Sequence, residues 1–413
     1  ATQVVTNNKP IVVIGHMSDM VREHLGDKAE IALQEEQLGT GHAVMMAEHY
    51  IDDEDEVLIL CGDTPLIKGE TLKEMTKIKS EGYADVVMSA VEDDPTGYGR
   101  IIRDESNDFM RIREQKDASE EEKAIKEINA GMYIINGKLL KENLSKLSVN
   151  NAQREYYLTD VLEHIKNAGH RIGVYQADKM EIMGVNSRLQ LSEAERIMRL
   201  DVNKMHMANG VTLIDTNSTY IDKNVKIGRD TIIYPNCHIK GNSVIGEDCI
   251  IRENTTIEDS HIEDHVTIKS STILSSKVGA RTTIGPYAYL RPKSVLGEDV
   301  KIGDFVEVKN AEIGNGSKAS HLSYIGDAVV GKNVNIGCGV VFVNYDGKNK
   351  FKSIVEDNAF IGSNSNLVAP VTVKEGGYIA TGSTVTVDVP EGALCVARAR
   401  EVIKEGWRTK KGL

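Results

Sequence analysis

Nowhere does this chain hold the roughly 18 consecutive apolar residues that a membrane-spanning helix needs. No signal-peptide pattern is visible. Five cysteines, Cys61, Cys237, Cys249, Cys338 and Cys395, are scattered with no CxxC and no paired spacing. That usage predicts reduced thiols in a cytoplasmic protein. A basic stripe is also lacking: the net charge is −13 and the pI about 5.4. Neither nucleic acid nor membrane insertion is therefore expected.

What is present is too long for one core. A chain of 413 residues predicts at least two domains, and its character changes near residue 210. Before about residue 185, short apolar runs alternate with helical patterns. "IVVIG" (11–15), "VLILCGD" (57–63) and "ADVVMSA" (84–90) read as strands. Ser18 is expected to cap a helix running to Leu25, and residues 70–80 read as helical. The alternation predicts a parallel α/β sheet. Ligands bind such sheets beyond the carboxyl ends of the strands, and Asp63 occupies such a position. Residues 187–207 then read as one amphipathic connector helix. Ser187 and Gln190 make a capping-box pattern, and Leu189, Ala194, Ile197, Met198 and Met205 form the apolar stripe.

From Ile221 the sequence counts in sixes. Anchors recur at Ile227, Ile233, Ile239, Ile245, Ile251 and Ile257, and continue with shortened steps through Leu290, Ile302, Val308, Ala319, Ile325 and Ile336 to Phe342. After the interruption "VNYDGKNKFKSIVEDN" (343–358), read as a loop leaving the coil on its binding face, they resume at Ile361 and run to Val385. A period of this length predicts a parallel β-helix, in which no repeat can bury its anchor alone. Three phrases make a triangular coil, so residues about 18 apart stack one strand spacing, roughly 4.8 Å, from each other. The anchor and the small residue four later point inward. Positions one to three after the anchor turn the corner, and position five points outward.

That register places His321 on a corner, two residues after Ala319, rather than in the core. Arg291 and Lys309 each follow an anchor by one and stack at a single corner. Like charges that close make sense if an anion sits between them. Glu307 and Tyr324 face outward on the strand feeding that corner. An anion clamp, a base and a carboxylate to orient it suit acyl transfer to an amine on a phosphorylated substrate. Asn335 is expected on a different face from His321, which favours a site built between neighbouring helices.

The stretches "KASHLSY", "FVEVKN", "YLRPKS", "VNYDGKNKFK", "EQLGTGHAV", "GDTPLI", "DDPTGYGRI", "EINAGMY", "EYYLTD" and "GVNSRLQL" together closely resemble one family. It is the bacterial bifunctional glucosamine-1-phosphate N-acetyltransferase/N-acetylglucosamine-1-phosphate uridyltransferases, which supply UDP-N-acetylglucosamine for cell-wall synthesis. The resemblance covers essentially the whole chain. It implies a Rossmann-like α/β nucleotidyltransferase domain (1–186), a linker helix (187–210), a left-handed parallel β-helix of hexapeptide repeats (211–390) and a C-terminal tail (391–413). It also implies a homotrimer that acetylates glucosamine 1-phosphate with acetyl-CoA. The product is then coupled to UTP with Mg2+, releasing pyrophosphate.

By the same resemblance His321 is the general base, oriented by Glu307. Arg291, Lys309, Tyr324 and Asn335 hold the sugar phosphate. Cys338, Asn344, Tyr345, Ser363, Thr381 and Arg398 contact acetyl-CoA. In the α/β half Gln34, Gly39 and Thr40 contact uridine, Gly99, Glu114 and Asn129 line the sugar pocket, and Asp63 with Asn186 holds the metal. The chain departs from the usual pattern at Ser320, Cys338, Val340 and Thr381. The family typically opens with a strand and a glycine-rich loop, L-A-A-G-x-G-T-R-M, followed by a lysine. No equivalent precedes "IVVIGH", so the α/β half is expected to be N-terminally incomplete and, as it stands, impaired in uridylyl transfer. Two other readings stay open: a different β-helix-bearing sugar-1-phosphate nucleotidyltransferase, and a non-catalytic scaffold of the same fold.

Overall fold

An aliphatic anchor on a two-residue strand can leave water only if the next coil covers it. Residues 212–395 accordingly wind into a left-handed parallel β-helix. The computed structural model describes residues 4–412 and divides into two units between Glu195 and Arg196. Among the described residues of the second unit, three parallel sheets of ten, nine and eleven strands form the faces. The register is the one the spacing predicts. Ile221 pairs with Ile239 and Ile239 with Ile257, Leu290 with Val308, and Ala319 with Ile336. Anchors and the residues four after them fill one continuous core from Val211 to Val389. Each anchor contributes roughly 1.5–3 kcal/mol of transfer free energy. Several of the inward Ser and Thr hydroxyls bond a neighbouring carbonyl, whereas that of Ser353 is buried without a partner. Ser294 Oγ, for example, donates to Arg291 O at 2.6 Å and to Val308 O at 3.0 Å.

The interruption is shorter than expected. Ser353–Val355 is already a coil strand, paired with Ala328–Val330, and Val355 is fully buried. Only about 344–352 leaves the helix. It closes as a hairpin: Phe351 N–H donates to Asn344 O at 2.9 Å, and Tyr345 bridges to Lys350.

The first unit begins with β1 (Ile11–Ile14), α1 (Ser18–Leu25), β2 (Glu30–Leu33), α2 (Thr40–Ala47), β3 (Glu56–Ile59), α3 (Gly69–Ser80) and β4 (Asp85–Val91). It continues with β5 (Arg100–Arg103), β6 (Phe109–Arg113), α4 (Glu120–Lys123), β7 (Glu127–Asn136), α5 (Gly137–Leu144), α6 (Thr159–Asn167) and β8 (Ile172–Gln176). Strands β1 and β2 form a parallel pair of their own. The larger sheet is not purely parallel, contrary to the expectation. β4 and β8 run parallel, but β7 lies antiparallel to β3, β4 and β5. No helix long enough for a crossover lies between β4 and β7, so the chain returns through the β5–β6 hairpin and reverses. Two buried clusters cover the sheet, one including Leu140, Val161, Leu162 and Ile165, the other Leu72, Met75 and Met132.

Ser18 does not cap α1. Met17 precedes it in the left-handed region (φ 55°), no side chain caps the turn, and Ser18 is already helical. Helix α7 (Arg188–Ala208) does start as expected: Gln190 N–H donates to Ser187 Oγ at 3.2 Å. Its stripe differs. Ala194 is buried, but Leu189 is 82% exposed, and Met198 and Met205 are exposed too. Within the second unit the helix buries Asn203 and His206 instead. The Asn203 amide donates to Thr216 O (3.0 Å) and Thr219 O (3.1 Å), closing the open end of the first coil. Polar contacts are needed there because an uncovered strand edge offers backbone groups as well as apolar surface.

Candidate functional site

In the second unit, register alone sets the geometry. Pairing Leu290 with Val308 stacks Arg291 on Lys309, and pairing Glu307 with Tyr324 sets those two side by side on the outer face. The Arg291 guanidinium donates to Glu307 Oε1 at 2.9 Å. Lys309 Nζ stands 3.9 Å from Asp327 Oδ2. The hairpin supplies a third cation that the spacing argument missed. Lys350 lies beside Lys309, whose ammonium pulls it below its usual pKa. Only the hairpin fold reveals it, because residue 350 is outside the hexapeptide count. Asn344, at the hairpin base, donates to Tyr324 Oη at 3.3 Å and to the Asp327 carboxylate. Gly326 keeps the space into which the Tyr324 phenol folds; a Cβ there would collide with that ring.

His321 ends the strand Lys318–His321. Leu322 (φ 45°) turns the corner, and the Ser323 hydroxyl locks it by donating to His321 O (2.9 Å) and Gly337 O (3.1 Å). The carboxylate that meets the imidazole is not Glu307, which is engaged with Arg291. It is Asp304, whose Oδ1 lies 2.6 Å from His321 Nδ1. Asp304 is the register partner of His321 on the preceding coil, and the corner-stacking rule that placed Arg291 on Lys309 would have found it. The same corner continues the other way. Cys338, Ser363 and Thr381 each follow an anchor by two, as His321 does. Their backbones stack closely: Asn364 N–H donates to Cys338 O at 2.7 Å, and Gly382 N–H to Ser363 O at 2.9 Å. The row thus runs Asp304, His321, Cys338, Ser363, Thr381. Beyond it, Arg398 Cδ comes within 3.9 Å of where a Cβ on Gly382 would stand. Tyr345, on the hairpin, is exposed.

Asn335 does not lie on a different face from His321. It pairs with Lys318 on the adjacent strand of the same sheet, three residues upstream, or roughly 10 Å along the strand. A position-five residue begins the strand that leads into the next corner, so the two share a face and differ in distance along it.

The first unit gathers its residues through long-range backbone contacts. Asp63 lies past the carboxyl end of β3, as expected. Val185 N–H donates to Asp63 O at 2.8 Å, which draws in the segment carrying Asn186. A Cβ on Gly184 would stand 3.1 Å from Asp63 Oδ2 and 3.5 Å from Asn186 Nδ2, so both side chains face that notch. Gly99, Glu114 and Asn129 also come together. Asn129 N–H donates to Gly99 O at 2.9 Å, and a Cβ on Gly99 would stand 3.4 Å from both Glu114 carboxylate oxygens. Glu114 accepts from Thr159 Oγ1 at 3.1 Å, and burial raises its pKa. Asn129 Nδ2 donates to Tyr133 Oη at 2.8 Å.

Gln34 Nε2 donates to Gly39 O at 3.2 Å. Thr40 Oγ1 accepts from Leu158 N–H at 3.1 Å, and Gly41 N–H donates to Tyr156 O at 2.8 Å. Gly39 has φ 112°, and a Cβ there would stand 2.7 Å from Tyr156 O, so only glycine allows this approach. Residues 156–159 therefore link the Gln34–Thr40 group to Glu114.

A profile described as a nucleotidyl transferase matches residues 3–181, and one described as the EIF2B subunit epsilon LbH domain matches residues 203–308. The chain is 63% identical over 403 residues to the bifunctional protein GlmU of Clostridioides difficile, covering 97% of this chain and 88% of that protein. It is 60% identical to the GlmU of Alkaliphilus oremlandii, covering 98% and 89%. To that of Caldanaerobacter subterraneus subsp. tengcongensis it is 54% identical, covering 100% and 91%.

Proposed function

The chain belongs to the bifunctional GlmU family, and from that premise we propose how its residues share the work. It is an enzyme with two transferase activities, acetyl transfer to glucosamine 1-phosphate and uridylyl transfer to N-acetylglucosamine 1-phosphate. At these identities nothing favours a different sugar nucleotidyltransferase or a non-catalytic scaffold.

Acetyl transfer takes place at the corner of His321. The observation carrying this reading is an exposed imidazole whose Nδ1 is already engaged at 2.6 Å, on the coils that also carry Arg291 and Lys309. The sugar phosphate takes the N–H groups that Arg291 keeps free of Glu307, together with the ammonium groups of Lys309 and Lys350. Tyr324 and Asn335 hold the sugar. His321 Nε2 accepts a proton from the amine as its nitrogen bonds the acetyl carbon. The carbon–sulfur bond then breaks and CoA leaves as the thiolate. Cys338, Ser363 and Thr381 continue the corner as a ledge of backbone N–H and C=O groups for acetyl-CoA, with Asn344, Tyr345 and Arg398 at its margins. Glu307 acts on Arg291 rather than on the base. The test is thiol release from acetyl-CoA with glucosamine 1-phosphate; turnover that survives His321→Ala would refute the assignment.

Uridylyl transfer belongs to the first unit. Gln34, Gly39 and Thr40 take the uridine, and Gly99, Glu114 and Asn129 the sugar. Asp63 offers a carboxylate oxygen at the notch that the Asn186 amide group also faces, which suits Mg2+, an ion that keeps several waters and binds few protein ligands. Among the described residues no group of three or more His, Cys, Asp or Glu could hold a metal. When bound, the cation would neutralise charge on the triphosphate.

The assembly is a homotrimer. Supporting it, Tyr287 and Phe305 stack at 5.4 Å on the corner next to His321, and with Leu322 they form a row of exposed apolar side chains. No helix among the described residues is long and apolar enough to cross a membrane. Five free cysteines and substrates of central metabolism support the cytoplasm.

A further inference from the structure

The short contact between Asp304 and His321 has a definite chemical consequence. His321 has two ring nitrogens, and only the one without a proton can take one from an amine. Asp304 Oδ1 lies 2.6 Å from Nδ1. A carboxylate accepts and cannot donate, so this contact requires the proton on Nδ1 and leaves the lone pair on Nε2. Interaction with His321 is also the largest cause holding the Asp304 carboxyl below its usual range, so it stays ionised.

The contact is built into the coil. Asp304 and His321 are register partners at the same corner, and Leu322 N–H donates to Asp304 O at 2.9 Å, fixing the two backbones. Neighbouring positions contribute no competing charge: Cys338 follows on the same corner, and Asn335 faces outward on the next strand. Lys301 and Lys318 lie upstream on the two strands concerned and pair with each other. Tyr324 begins the strand after the corner. Among the described residues the Asp304 side chain bonds no side chain besides His321. The imidazole and the carboxylate are 58% and 36% exposed. A contact between two side chains at that exposure adds little to folding, so removing it should leave the coil intact.

We propose that Asp304 is the positioning residue of the acetyltransferase site, holding His321 as the Nδ1–H tautomer with Nε2 aimed outward to take the amine proton. The proposal rests on the reading of His321 as the base. As the imidazolium forms, the adjacent carboxylate also stabilises its charge, as the aspartate of a hydrolase triad does.

The test compares Asp304→Ala, Asp304→Asn and His321→Ala in the full chain, measuring thiol release, melting temperature and the ring 15N shifts of histidine-labelled protein. The His321 resonance is identified by its loss in His321→Ala. Asp304→Ala should lower kcat by about ten- to a hundredfold, within the range of general-base effects, with both KM values within about twofold and the melting temperature unchanged. Asp304→Asn keeps an acceptor but no charge, and should fall between Asp304→Ala and the parent. The 15N shifts should move from the Nδ1–H pattern toward the Nε2–H pattern in Asp304→Ala. In a His321→Ala background, Asp304→Ala should have no further effect. Unchanged kcat in Asp304→Ala, or a loss expressed wholly in KM, would overturn the proposal while leaving His321 as base if His321→Ala is inactive. Full activity of His321→Ala would instead overturn the underlying reading.

Discussion

The two units solve the same problem, bringing distant residues to one place, by opposite means. In the β-helix, Asp304 meets His321 and Arg291 stacks on Lys309 because each pair occupies one corner, one coil apart. One repeated local rule sets both pairs, and the core is a single cluster. In the α/β unit Asp63 meets Asn186, and Thr40 meets Leu158, through single contacts more than a hundred residues apart in sequence. Its core is split between two clusters. Sites built by repetition should therefore tolerate loss of a side chain without loss of shape, whereas sites built by long-range loops depend on the closure itself.

The largest test of that contrast is a pair of mirror substitutions. His321→Ala should lower acetyl transfer by about 100-fold or more and leave pyrophosphate release unchanged. Asp63→Ala should lower pyrophosphate release by about 100-fold or more and leave thiol release unchanged. Loss of both activities in either variant would show that the sites are not independent.

Next comes the anion clamp. Arg291→Ala, Lys309→Ala or Lys350→Ala should each remove a charge-assisted contact of roughly 1.5–3 kcal/mol, raising KM for glucosamine 1-phosphate by about ten- to a hundredfold. KM for acetyl-CoA should stay constant. Titration calorimetry with each substrate separates the two, and equal weakening of both would end the assignment.

A smaller effect concerns the closure in the α/β unit. Gly39→Ala places a Cβ against Tyr156 O with φ at 112°. It should cost about 1–3 kcal/mol of local strain and raise KM for UTP, with thiol release unaffected. An unchanged KM would mean that the Gln34–Thr40 segment is not held against 156–158 as the site requires.

The smallest test is one of pH. Asp85 is fully buried, one of its carboxylate oxygens has no partner, and burial pushes its pKa up to about 6. The folded state thus binds its proton more tightly than the unfolded chain, where the pKa is 3.8. The resulting stabilisation is complete at low pH and is lost as pH rises from about 4 through 6. Asp85→Asn should therefore raise stability at pH 8 by about 1–3 kcal/mol, with the gain vanishing near pH 4. A constant difference across that range would mean that Asp85 titrates as it does in the unfolded chain.

The hexapeptide count was sufficient to place the anchors, the inward small residues, the corner of His321 and the stacking of Arg291 on Lys309. Each depends only on distances of six or about 18 along the chain, and a parallel coil converts those directly into space. Applied to the corner of His321, the same count also names Asp304, where the outward strand positions point to Glu307 instead. Folding in three dimensions decided the rest. Lys350 reaches Lys309 because the hairpin at 344–352 folds back, and nothing periodic encodes that. Strand β7 runs antiparallel to its neighbours because the β5–β6 hairpin replaces a crossover helix. Helix α7 buries Asn203, whose amide bonds Thr216 O and Thr219 O, while Leu189, Met198 and Met205 stay in water, since the end of a coil needs hydrogen bonds that an apolar stripe cannot supply. The α/β residues could be assembled only by contacts across the chain, where spacing carries no information about distance.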